Sequence, residues 1–328
     1  MKVLYIGGTG EISYACIHAG AGLGHANVVF NRGRSAELLP PDTRQVLGDL
    51  DNEPTYRALG GEHYDVVCQF KAYTPAHVDR DLEVFGGRCG QYVFISTASA
   101  YLKPPPEYRI TEATPLGNPY WPYSQAKADM ERQLLRAHAA GRLPVTIVRP
   151  SHTYRRNFPG TIVPGDEHAW RMLNGKPVIV HGDGTSLWAV THADDFAYPF
   201  ARLLGQPGAL GEAFHITSEQ SWRWDQIFRA IGAALGVEPR LVHVPSDTLI
   251  RYNAAWAGPL LGDKAWSVAF DNSEVRRFAP DWAPRIAMPE GMRLAAAHHR
   301  ARAASYQPDP EAHALLDRIA AEQEALGR

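Results

Sequence analysis

The run Gly7-Gly8-Thr9-Gly10-Glu11-Ile12-Ser13 constrains this chain more than any other stretch. It follows Val3 to Ile6, an apolar run too short for a helix, and leads into a helix-compatible segment from Tyr14 to Gly20. Strand, glycine turn and helix in that order let backbone N–H groups and the positive end of the helix reach a phosphate that a Cβ would hold away. Such a turn belongs in a parallel sheet. Short apolar runs at Asn27 to Phe30, Asp65 to Phe70, Tyr92 to Ile95 and Val145 to Val148 alternate with helix-permitting segments, as crossover connections require. The expected fold class is therefore α/β: a doubly wound parallel Rossmann sheet over residues 1–150, with later returns near 183–217, and a smaller C-terminal substrate-binding lobe over 151–328.

The lobe is expected from a change of texture. After Pro150 the pattern loosens around Pro159, Pro164 and Pro177, before a late strand at Ala213 to Thr217 and a helix from Trp224 to Leu235. Tyr252, Trp256, Trp266 and Trp282 then sit among Gly and Pro, which reads as loops folding over a pocket. Asp309 and Pro310 open a last helix whose Leu315, Leu316, Ile319 and Leu326 pack on the body or on a second subunit. With 328 residues, 45% of them hydrophobic, the chain can bury a large core. Its formal net charge of −2 gives no field that would draw it to polyanions. No apolar run reaches about 18 residues, and Gly7-Gly8 arrives too soon for a signal peptide, so a cytoplasmic protein without membrane contact is expected. Cys16, Cys68 and Cys89 are far apart and read as buried, reduced thiols; His298-His299 has no partner at ligand spacing, and no metal site is expected.

The glycine turn and the next strand end point to a dinucleotide. An acidic residue there accepts from a ribose 2′-OH, whereas arginine neutralises a 2′-phosphate. Here the residues are Asn31-Arg32-Gly33-Arg34, which favours NADP over NAD unless Arg32 only stacks on adenine. In Gly48-Asp49-Leu50, Asp49 is either an acceptor for the adenine amino group or a solvated turn residue. Glu11 is unexpected, because a carboxylate beside a pyrophosphate repels it unless it turns away.

Chemistry is concentrated in Tyr123-Ser124-Gln125-Ala126-Lys127, which places a phenol and an ammonium one helical turn apart. A nearby cation favours phenolate and suits the tyrosine to exchange a proton with a hydroxyl or carbonyl. Upstream, Ser96-Thr97-Ala98-Ser99 puts hydroxyls at the carboxyl end of a strand, where open α/β sheets bind ligands.

Together these segments resemble the extended short-chain dehydrogenase/reductases, the NAD-dependent epimerase/dehydratase group. The resemblance covers nearly the whole chain and includes the glycine loop, Gly48-Asp49, Ile95 to Tyr101, Tyr123 to Lys127, Arg149 to Tyr154, Gly182 to Trp188 and His192 to Ala197. It implies that Tyr123 is the acid/base, that Lys127 binds the nicotinamide ribose and tunes Tyr123, and that Thr97 is their hydroxyl partner with Ser99 on the substrate side. The cofactor set it implies is Gly7, Thr9, Gly10, Glu11, Ile12, Asn31, Arg32, Arg34, Asp49, Leu50, Lys71, Tyr123, Lys127 and Pro150. Lys71 stands where the group usually has a small residue, and either touches phosphate or substrate or simply snorkels from its strand end.

The departures from the group are specific. Ala98 and Ser99 occupy the places of the Asp-Glu pair that 4,6-dehydratases use. His152 replaces an asparagine, and Trp188 stands where an arginine often grips a diphosphate. The candidate substrate contacts are Ser99, His152, Arg155 and Trp188, with packing or surface roles as the alternative for the last three. The resemblance implies hydride transfer at a secondary hydroxyl or ketone of a sugar-like substrate, nucleotide-linked or not, by an epimerase or a dehydrogenase, and a homodimer. A second reading stays open: Phe30 to Gly33 also resembles the strand end of chloroplast stem-loop RNA-binding relatives on this fold, although the charge balance and the intact Tyr123/Lys127 pair speak against nucleic acid.

Overall fold

The computed structural model describes residues 1–35 and 38–326. Seven strands form the central sheet: β1 (Lys2–Ile6), β2 (Ala26–Asn31), β3 (Arg44–Leu47), β4 (Tyr64–Gln69), β5 (Cys89–Ile95), β6 (Val145–Pro150) and β7 (Ala213–Ile216). Their order is β7-β6-β5-β4-β1-β2-β3 and every pairing is parallel. Ile6 pairs with Phe30 on one side and Gln69 on the other, and Ile95 pairs with Val148, so the carboxyl ends lie along one edge. The strand order reverses between β1 and β4, which opens a crevice at that edge.

Strand alternation explains how both faces are covered. Val3 and Tyr5 point into one core layer with Cys16 and Ile17 of α1 (Glu11–Gly22). Leu4 and Ile6 point into the opposite layer, with Val78 and Leu82 of α2 (Pro75–Phe85) and Met130 and Leu134 of α3 (Pro122–Ala139). Burial on both sides is why these strands read as continuous apolar runs. Gly8 allows α1 to sit close to the sheet: a Cβ there would lie 2.4 Å from Val29 Cγ1.

The remaining elements build the lobe. It contains α4 (Gly165–Leu173), two short parallel pairs (His152–Tyr154 with Val190–His192, Val178–His181 with Leu241–Val244), α6 (Trp224–Leu235) and α7 (Met288–Arg302). Between them α5 (Ala193–Leu203) returns to the sheet, where Phe196 and Phe200 join the layer of α1. The last helix, α8 (Pro310–Leu326), packs Leu316 and Ile319 against Val244 and Leu249, as its spacing predicts for packing on the body. The expected loops over a pocket are only partly so, since Trp256 and Trp282 are buried in core clusters. All three cysteines are buried free thiols. No helix among the described residues is long and apolar enough to cross a membrane.

One buried ion pair fixes the helix that carries the tyrosine. Arg149 of β6 donates from Nη2 to Glu131 of α3 at 2.6 Å and from Nε at 3.1 Å, with both side chains out of solvent. Glu131→Leu leaves that guanidinium buried without its counter-charge and should cost about 3–5 kcal/mol in urea unfolding, most of it recovered in the double variant Glu131→Leu/Arg149→Met. A single-variant loss below about 1 kcal/mol would show that the pair does not hold α3 to the sheet.

Candidate active site

Gly7 is the pivot of the crevice. Its φ of +91° turns the chain out of β1, its N–H donates to the Phe30 carbonyl at 3.0 Å, and a Cβ there would meet Lys71 Cγ at 2.4 Å. Three residues on, the Gly10 N–H donates to Ser13 Oγ at 3.0 Å as α1 begins. Two cavities meet along this loop. One, of about 550 Å³, is lined by Gly7, Thr9, Gly10, Asn31, Arg32, Arg34, Asp49, Leu50 and Lys71. The other, of about 390 Å³, is lined by Gly7, Gly10, Glu11, Ile12, Lys71, Thr97, Tyr123, Lys127, Pro150 and His152. The residues expected around a dinucleotide thus surround one elongated crevice at the strand-order reversal. Asn31 Nδ2 and Ser96 Oγ, buried and without partners, add unspent hydrogen-bonding capacity at its two ends, and the residues fit a dinucleotide.

The catalytic candidates converge at the second cavity. Lys127 donates from Nζ to the carbonyls of Ala72 and Ile95, both at 2.8 Å, and sits 5.9 Å from the Tyr123 ring centre. Burial holds the lysine down to about 7; the charge of Lys71 acts in the same direction and Glu131 opposes it. Burial likewise pushes the Tyr123 phenol up to about 12, with Tyr73 and Asp263 adding to the rise and the Thr97 hydroxyl opposing it. The expected lowering of the phenol by Lys127 is not seen. From Thr97 Oγ1 a hydroxyl chain runs inward, 3.0 Å to Ser99 Oγ and 2.6 Å more to Ser124 Oγ.

Ser99 does not face the crevice: its N–H donates to Thr97 Oγ1, and this turn folds it behind the threonine, where it is buried. Trp188 is a core residue stacked on Trp224 at 6.2 Å, and Arg155 is tied to Asp194 at 3.1 Å above the Tyr14 ring; neither lines the crevice. Glu11 lies at the crevice wall, but its carboxylate accepts from the Arg156 N–H at 2.6 Å and from Arg156 Nε at 3.1 Å, which turns its charge away from the loop. His152 does stand in the site, where burial and then Lys264 hold its imidazole down to about 3, hence neutral. It also borders a third cavity, of about 670 Å³, inside the lobe. That cavity is lined by Asn157, Thr161, Glu167, Lys264 and Tyr306, which no local motif marks; Ser96 lies in the quoted hydroxyl run and was legible there.

A model of the NAD dependent epimerase/dehydratase family matches residues 3–216. The chain belongs to that family. It is 27% identical over 297 residues to a 2'-dehydrokanamycin reductase of Streptomyces kanamyceticus, covering 87% of this chain and 81% of that one. It is also 27% identical over 259 residues to a chloroplast stem-loop binding protein of 41 kDa from Arabidopsis thaliana, covering 74% of this chain and 65% of that one. In fold it is similar to a dTDP-glucose 4,6-dehydratase of Bacillus anthracis in complex with NAD, with a TM-score of 0.74, 20% identity and coverage of 93% and 98%.

The buried lysine leaves a signature in stability. Between pH 7 and the ordinary lysine value of 10.5 the unfolded chain holds a proton that folded Lys127 has released, so stability from this site rises with pH across that window. The stability advantage of the wild type over Lys127→Met should therefore grow from pH 7 to pH 10 in urea midpoints, and a gap that stays constant would mean the lysine is charged throughout.

Proposed function

We propose that the protein is an NAD(P)-dependent oxidoreductase that interconverts a ketone and a secondary hydroxyl on a sugar derivative, with Tyr123 as the acid/base. The observation that carries this reading is the convergence of Tyr123, Thr97 and Lys127 on the cavity that adjoins the glycine loop. A bound dinucleotide supplies the hydride donor or acceptor. Tyr123, protonated at neutral pH, gives its proton to the carbonyl oxygen as charge develops there, and the Thr97 hydroxyl donates to the same oxygen. Lys127, held by two carbonyls, meets the ribose side of the crevice, and neutral His152 offers ring nitrogens to the substrate.

Direction and cofactor follow from further observations. The phenol is protonated at neutral pH, the form that ketone reduction uses, and the reductase relative supports that direction. Ala98 and Ser99 bring no carboxylate behind Thr97, which supports oxidoreduction over elimination. Arg32 and Arg34 at the wall of the first cavity support NADP over NAD. The likeness to the stem-loop binding protein supports a second reading, RNA binding, which predicts a salt-dependent shift of a labelled stem-loop and indifference to Tyr123.

Turnover of oxo-sugars followed by consumption of reduced cofactor tests the first reading. Tyr123→Phe should lower kcat/KM by about 10²–10⁴ while leaving the dinucleotide Kd unchanged. Wild-type rates in that variant would remove the tyrosine from its role. Arg32→Ala should weaken NADP about tenfold and leave NAD as it was, and an equal loss for both would refute the 2′-phosphate contact.

A further inference from the structure

The main chain of Lys71 is fixed at the end of its strand. Its N–H donates to Gln69 Oε1 at 2.7 Å, and Gln69 is locked in turn, its Nε2 donating to Tyr56 Oη at 2.9 Å and to the fully buried Asp81 carboxylate at 2.7 Å. The side chain then runs along Gly7. A Cβ on that glycine would fall 2.4, 3.2 and 3.0 Å from Lys71 Cγ, Cδ and Cε, so most of the methylene stem lies on the glycine surface and only glycine admits it. Lys71 lines both the Arg32 cavity and the Tyr123 cavity, which places it at their junction. Among the described residues no carboxylate lies within salt-bridge distance of its Nζ.

The carboxylate at the start of α1 is already engaged elsewhere, while Asp49 and Asp51 line the far part of the first cavity. Glu11, the first residue of α1, is neutralised by Arg156, whose Nη2 also donates to the Thr9 carbonyl at 3.3 Å. An anion entering at the loop therefore meets the positive end of α1 and the Lys71 ammonium together.

We propose that Lys71 is the cation that binds the pyrophosphate of the dinucleotide, lying across Gly7 at the junction of the two cavities. The inference rests on the dinucleotide reading above. Lys71 is an affinity determinant common to both nicotinamide dinucleotides, because the pyrophosphate is shared between them; Arg32 is the one that discriminates. A charge-assisted contact of this kind sets the expected loss at about tenfold in Kd.

Calorimetric titration of the purified full chain with NADP, NAD and ADP-ribose, at two salt concentrations, tests it. Lys71→Met should weaken all three by about tenfold and flatten the salt dependence, while Lys71→Arg keeps the wild-type Kd within about threefold. Thermal unfolding without ligand shows whether each variant is folded, and Lys71→Gln is the replacement if the methionine variant is not. Unchanged affinity in a folded Lys71→Met or Lys71→Gln variant overturns the proposal, as does a loss confined to NADP, which would place Lys71 on the 2′-phosphate. A wild type that binds none of the three ligands overturns the dinucleotide reading itself, and this inference with it.

Discussion

The crevice depends on how one lysine side chain is buried. Taking a lysine out of water is costly unless its protons find fixed acceptors, and Lys127 finds two, the carbonyls of Ala72, just past β4, and of Ile95, the last residue of β5. These carbonyls lie at the carboxyl ends of neighbouring strands, so the bonds set where α3 crosses that edge of the sheet. Tyr123 stands one turn earlier on the same helix and falls beside Thr97 as a result. One turn later Glu131 meets Arg149 of β6, which stops the helix from sliding along its axis. The catalytic candidates come from separate elements, yet their mutual placement reduces to the register of one helix against three strands.

That register is why so much of the site was legible from sequence. Where chemistry is encoded by local period, the pattern carries the geometry: four residues separate Tyr123 from Lys127, and one strand-turn-helix succession contains Gly7 and Gly10. The sheet strands were readable for a related reason, since burial on both faces leaves uninterrupted apolar runs. The side chains that went elsewhere are those whose direction is set by distant contacts. Trp188 belongs to a two-residue strand, too short for alternation to show which way it points, and the Trp224 ring that receives it is far along the chain. Ser99 turns inward because Thr97 Oγ1 accepts its N–H, a local bond that the composition of a Ser/Thr run does not specify. Arg155 and Arg156 are adjacent in sequence, yet one is drawn to Asp194 and the other to Glu11.

Glu11 shows how an apparent conflict in the sequence can be resolved by a remote partner. A carboxylate in the first turn of a helix suits the helix dipole but competes with any anion meant to bind there. Arg156 removes the competition, and Arg302 of α7 extends the bridge by donating to the Arg156 carbonyl at 3.0 Å and to Asp166 at 2.9 Å. The glycine loop is thereby fastened to the segment that forms the wall of the lobe cavity, which includes Asn157, Phe158 and Asp166. These charge pairs join the glycine loop to the lobe alongside the apolar clusters that mix residues of both.

His152 borders both the Tyr123 cavity and the lobe cavity, so the two meet at this ring. With the imidazole neutral, His152 contributes directional hydrogen bonding without charge, which suits hydroxyl groups better than a diphosphate. Trp188, where related enzymes often place an arginine for a diphosphate, is spent on packing against Trp224. Lys264 and Glu167 face the cavity with opposite charges, so its lining presents both signs rather than a cluster of cations. The lobe cavity thus combines a neutral imidazole with one ammonium and one carboxylate, and these side chains come from separate elements of the chain.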